Sequence, residues 1–221
     1  MKSDWAKQLK KPVPDRPPLK AFHLSHCAAK DGEFRDYRQV ECDFLTAEFR
    51  RIIARSDLIS TASVIDRSAW DELIVGPLRD VLGGALEPCF INCIDETIKV
   101  AKVHPDGRKI AIVFDRGIES ERLRQIADMY TRPLADPWIA SITFAKVENV
   151  LPLQGADMAA TESFWHAQNW LSGGDDSSAR LHFQDYMKSI RGEGLIIDRP
   201  AILAEVSRRG PDGFLLEEQL S

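Results

Sequence analysis

Leu151 to Leu171, read LPLQGADMAATESFWHAQNWL, decides how this chain is built. Leu153, Ala156, Ala160, Phe164, Ala167 and Leu171 recur at steps of three and four, the spacing that gives an α-helix one core-facing stripe. Asp157 falls just off that stripe, and Gln154 sits one turn earlier on the same flank. An ionised carboxylate at the edge of a core costs free energy unless a cation, a metal or hydrogen-bond donors meet it, so Asp157 needs a partner. Two partners are open at this point. Asp157 either caps a neighbouring loop through backbone amides or belongs to a site.

The chain has 221 residues, 44% hydrophobic and 29% charged, which is the composition of a globular protein. Its longest apolar runs, Ile110 to Phe114 and Phe90 to Ile94, fall far short of the roughly 18 to 20 residues of a membrane-spanning helix, so no membrane association is expected. The N-terminus is basic and proline-rich without the apolar centre of a signal peptide, and a cytoplasmic protein is expected. Cys27, Cys42, Cys89 and Cys93 lie in or beside apolar segments and read as reduced core residues rather than disulfides. A net charge of -5 lowers the expectation of nucleic-acid binding, although phosphate contacts need only a local basic patch.

Residues 1–20 read as a basic, proline-rich N-terminal arm, because Pro12, Pro14, Pro17 and Pro18 forbid a helix across their span and favour extended chain. Residues 21–221 read as a single α/β domain with a helical C-terminal extension from about residue 174. Within it, helices are expected at Cys42 to Ser56, Ala69 to Ile74, Leu86 to Val103, Glu119 to Tyr130, Ser178 to Ile190 and Pro200 to Arg208. Arg50, Arg51 and Arg55 read as a solvated face. Leu58 to Ile65 and Ile139 to Phe144 read as strands, and Lys109 to Phe114 as a strand buried on both faces after the turn His104-Pro105-Asp106-Gly107. Alternating strands and helices imply a sheet with crossovers, in which sites gather at the carboxyl ends of strands, where Asp115 stands.

Other chemistries are set aside on spacing. Cys89 and Cys93 are four apart with no second pair, which favours core cysteines over zinc. His23, His26, Cys27 and Cys42 would need an ordered loop to make a zinc site. No G-x-S-x-G, Walker A or G-x-G-x-x-G occurs, which disfavours an elbow nucleophile or a phosphate-cradling loop.

Three short motifs in order, FHLSH at Phe22 to His26, IVFDRG at Ile112 to Gly117 and LQGADMAATE at Leu153 to Glu162, resemble the bacterial domain of unknown function 3800 family over roughly Trp5 to Trp170. The resemblance implies a ribonuclease H-like mixed sheet flanked by helices. In that family an opening strand carries Asp-Glu-Ser-Gly, which occurs nowhere in these 221 residues, so the N-terminal strand is expected to be missing or replaced. By the resemblance, Asp157 and Asp115 would be the catalytic residues and the ligands of Mg or Mn, with Gln154 and His23 contacting substrate. Two-metal phosphoryl hydrolysis needs several carboxylates to hold ions about 3.5 to 4 Å apart, so two aspartates make a weak site, with Asp66 or Glu162 as candidates to complete it. The implied function is a metal-dependent nuclease-type domain with an incomplete site, weak or inactive. The alternative is a non-catalytic module that binds nucleic acid or protein. A sheet lacking one strand also exposes an edge, to be covered by the N-terminal arm or by a homodimer.

Overall fold

The computed structural model describes residues 1–56, 58–103, 109–132, 136–174 and 191–210. The helices and strands follow in the order α1 (Lys2–Lys10), α2 (Leu24–Ala29), α3 (Gln39–Ala54), β1 (Ile59–Ile65), α4 (Arg67–Leu73), α5 (Pro77–Leu82), α6 (Leu86–Val103), β2 (Ile110–Asp115), α7 (Glu121–Thr131), β3 (Ile139–Ala145), α8 (Leu151–Leu171), β4 (Arg191–Ile197) and α9 (Arg199–Arg209). The class is mixed α/β, with short parallel strands outweighed by helix. Among the described residues the strands pair as two separate two-stranded sheets, β1 with β4 and β2 with β3. The expected turn at His104 to Gly107 and the expected helix at Ser178 to Ile190 lie outside the described residues. By contact the chain forms two compact units, one of Met1–Ser60, Val113–Glu119 and Thr143–Glu193, the other of Thr61–Ile112, Ser120–Ile142 and Gly194–Ser221.

The first unit is built on an aromatic cluster. Phe22 stacks on Phe49 of α3 at 4.2 Å between ring centroids, Trp5 of α1 lies 4.5 Å from the same ring, and Phe34 meets Phe22 edge-on at 5.8 Å. Leu45, Ile53, Cys27, Cys42 and Met158 complete the buried core. The N-terminal residues therefore differ from the extended arm expected of them. Trp5 and Leu9 are one helical turn apart on α1 and both are buried, which docks the segment before its prolines begin. The proline stretch itself is held by Arg16, which donates to Glu41 at 2.8 Å and to the Asp36 carbonyl at 2.6 Å and lies over the Tyr37 ring at 4.8 Å. Hydrogen bonds from the Arg16 side chain and from Arg38 hold the Glu41 carboxyl at about 2, well below its usual range.

Helix α8 is the helix the sequence predicts, but it is rotated from the predicted face. Leu153 and Ala167 are buried as expected, while Ala156 and Ala160 are exposed and Phe164 and Leu171 are 50% and 40% exposed. The inward face runs instead through Gln154, Met158 and Glu162, each four residues from the last. Polar side chains occupy it because each has a distant partner, and a buried polar group that is hydrogen-bonded escapes most of its burial cost. Gln154 Oε1 accepts from the Trp5 indole N–H at 2.8 Å and from the Phe22 amide at 2.9 Å, and its Nε2 donates to the Val147 carbonyl at 3.4 Å. Glu162 pairs with Arg50 of α3, whose side chain is only 13% exposed, so Arg50 is not on a solvated face.

In the second unit, Trp70 and Ala69 of α4 pack with Ile74, Leu78 and Ile202 of α9. Trp70 donates its indole N–H to the Gly83 carbonyl at 3.2 Å. Asp66 accepts from the Ala69 amide at 3.0 Å and starts α4, and Asp198 starts α9 in the same way through Ala201 at 2.9 Å. Strand β2 is partly exposed along its length rather than buried on both faces, as befits a strand with one neighbour among the described residues.

Gln154→Leu keeps the size of the buried side chain but leaves the Trp5 and Phe22 donors unpaired. Each of the two orphaned buried donors costs about 1 to 3 kcal/mol, so urea unfolding should show a loss of about 2 to 6 kcal/mol. A loss of less than about 0.5 kcal/mol would mean that this amide does not organise the core.

Candidate functional site

Helix α2 begins where the Phe22–His26 segment crosses α8. His23 is its N-cap residue in extended conformation, yet its own side chain caps no amide of the helix. The carboxylate of Asp157, one turn after Gln154 on α8, supplies that cap from outside, with Oδ2 accepting from the Leu24 amide at 3.3 Å. The same oxygen lies 3.6 Å from His23 Nδ1, longer than an ordinary hydrogen bond but close for an ion pair. Asp157 thus meets two partners, a backbone amide and an imidazole whose charged form it favours. Its side chain stays 31% exposed.

The imidazole of His23 gathers the local charge. The hydrogen-bonding proximity of Asp157 raises its pKa above the ordinary 6.5 against the opposing effect of burial, and the charges of Asp157, Glu148 and Asp115 raise it further. His26, one turn along α2 and exposed, places its ring 5.1 Å from that of His23. Asp115 sits exposed at the end of β2 and accepts from the Gly117 amide at 3.1 Å, which starts the short 3-10 turn Arg116–Ile118.

The predicted site residues therefore divide. His23 and Asp157 are in contact, and Asp115 acts on the same imidazole through its field. Gln154, expected to touch substrate, is fully buried with both lone pairs of its carbonyl oxygen already taken by Trp5 and Phe22, so it is a clasp inside the core. Glu148 was not foreseen. It lies in the 3-10 turn Val147–Asn149 just before α8, and only its acidity beside a predicted helix start pointed to it. Asp66 and Glu162, the candidates to complete the site, are committed to the α4 cap and to Arg50.

No protein-family model, curated protein or solved structure matches this chain. The site must therefore be read from its own geometry. An ion bound through Oδ2 of Asp157, with oxygen ligands at about 2.0 to 2.6 Å, would displace the His23 contact there. Among the described residues, no three His, Cys, Asp or Glu side chains are grouped to hold a metal. The four-ligand set His23, His26, Cys27 and Cys42 is likewise split, since both thiols are buried in the aromatic core while His26 is exposed. What the arrangement supplies is an imidazole in contact with Asp157 at the start of a capped helix, its charged form favoured by that carboxylate and by the fields of Glu148 and Asp115.

The sign of the His23 shift fixes a pH dependence. A folded-state pKa above the unfolded value adds stability that is complete below the ordinary 6.5 and fades as pH rises through the folded value. Asp157→Asn keeps an acceptor for Leu24 and removes the charge, so it should destabilise the protein more at about pH 5.5 than at about pH 8.5. Urea unfolding of the two proteins at both pH values reads the difference, and an equal effect at both would show that His23 and Asp157 are not coupled.

Proposed function

We propose that this chain is a ribonuclease H-like, nuclease-type domain, similar to the bacterial domain of unknown function 3800 family, whose phosphodiester-hydrolysing site is incomplete. The observation that carries the reading is that two of its motifs meet at one place. The Phe22 and Leu24 amides of FHLSH donate to Gln154 and Asp157 of LQGAD, the His23 imidazole lies 3.6 Å from the same Asp157 oxygen, and the charge of the strand-end Asp115 of IVFDRG acts on the same His23. Glu148 adds a third carboxylate to that neighbourhood. In this reading the substrate is a nucleic acid and Mg or Mn is the metal. Asp157 and Asp115 are its ligands once His23 is displaced, and the protein works in the cytoplasm. Among the described residues no helix is long and apolar enough to cross a membrane.

A non-catalytic binding module is the second reading, and one observation favours it. Asp157 Oδ2 already serves a helix amide and an imidazole ring, the partners of a structural carboxylate. In that form the half-buried His23 and exposed His26 rings face a nucleic-acid or protein partner, and a homodimer through a sheet edge extends the surface.

The discriminating experiment assays wild type and Asp157→Asn on single-stranded DNA, RNA and an RNA–DNA hybrid with Mg²⁺ or Mn²⁺. Wild type should cleave weakly or not at all, since loss of ligand charge removes stabilisation the transition state requires, and any residual cleavage should vanish in Asp157→Asn. Equal cleavage by both proteins would place the chemistry away from Asp157. Robust wild-type cleavage would show that the site is complete. Salt-sensitive binding of labelled strands without cleavage, unchanged in the variant, would support the binding module.

A further inference from the structure

The second unit carries a pair of thiols that the nuclease reading does not use. Cys89 and Cys93 lie four residues apart on α6, beside the buried stripe of Phe90, Ile94, Ile98 and Ala101. They are half-buried, whereas Cys27 and Cys42 in the first unit are fully buried. Ser63 of β1 lies against both. Its hydroxyl is buried, and it lowers the pKa of Cys89 while the Ser63 backbone lowers that of Cys93. These donors oppose burial, which pushes both thiols above their ordinary range, and the neighbouring charge of Cys89, which raises Cys93 further.

Helical spacing decides what such a pair can do. Side chains at i and i+4 share a face with Cβ atoms about 5 to 6 Å apart, whereas a disulfide needs Cβ atoms about 3.5 to 4.5 Å apart. A disulfide would therefore have to unwind α6. An ion bridging two sulfurs, with metal–sulfur bonds of roughly 2.3 Å, spans the pair without disturbing the helix. Two thiolates leave Zn²⁺ short of its four ligands, but soft thiolates select Cu(I), which is content with two. We propose that Cys89 and Cys93, with Ser63 beside them, form a binding site for a soft monovalent cation of the Cu(I) class. Binding releases the two thiol protons to water, forms two sulfur–copper bonds and changes no oxidation state.

The test uses the whole reduced chain and Cu(I) supplied anaerobically as its complex with a chromophoric chelator. Wild type should withdraw one equivalent of copper, C89S and C93S should each lose that withdrawal, and the double variant C27S/C42S should keep it. On wild type alone, one equivalent of Cu(I) should protect the Cys89 and Cys93 peptides together from iodoacetamide, which tests the site even where a serine variant fails to fold. No withdrawal by wild type, withdrawal that survives C89S and C93S, or unchanged alkylation of both cysteines would each overturn the proposal.

Discussion

One buried amide oxygen joins the ends of the first unit. Gln154 Oε1 accepts from the Trp5 indole at 2.8 Å and from the Phe22 backbone at 2.9 Å, across separations of 149 and 132 residues. Neither donor has water to fall back on, since Trp5, Phe22 and Gln154 are all fully buried, and an unmet polar group there costs more than a made bond gains. Satisfying both donors fixes where α1 and the Phe22 segment lie on α8. That placement brings Leu24 and His23 to Asp157 one turn further along. The site is thus a consequence of the clasp.

Much of the architecture is legible in periodicity. The amphipathic pattern of α3 places Leu45, Phe49 and Ile53 inside, where they are found, and Asp198 and Gly210 bracket α9 as cap residues should. The reading of α8 goes astray because apolar periodicity assumes that polar residues avoid the core. Gln154 and Glu162 break the assumption through Trp5, Phe22 and Arg50, partners more than 100 residues away in sequence. Arg50 is misread for the same reason. The N-terminal helix is overlooked because four prolines draw the eye to residues 12 to 18, while two apolar residues one turn apart, Trp5 and Leu9, suffice to dock the segment ahead of them. Strand β4 carries Gly192 and Gly194 in a seven-residue run, which conceals it from β-propensity.

The site shows the same limit. That Asp157 needs a partner follows from its place beside a core, but which partner depends on chain folding back from Phe22. The structure supplies an amide and an imidazole together, so the capping and the site readings of this carboxylate coincide. Glu148 joins them through a turn that no periodic signal marks. A residue that serves as a cap is constrained in position, and a residue constrained in position is suited to chemistry, so the two roles need not compete.

Native-state hydrogen exchange at the Phe22 amide tests the central claim most directly. If Gln154 holds the N-terminal segment to α8, this amide should exchange only through global unfolding, with the same opening free energy as the amides of Leu45 and Phe49 in α3. Exchange of Phe22 at the rate of an open loop while α3 stays protected would contradict the account, because the segment would then leave α8 without the core noticing.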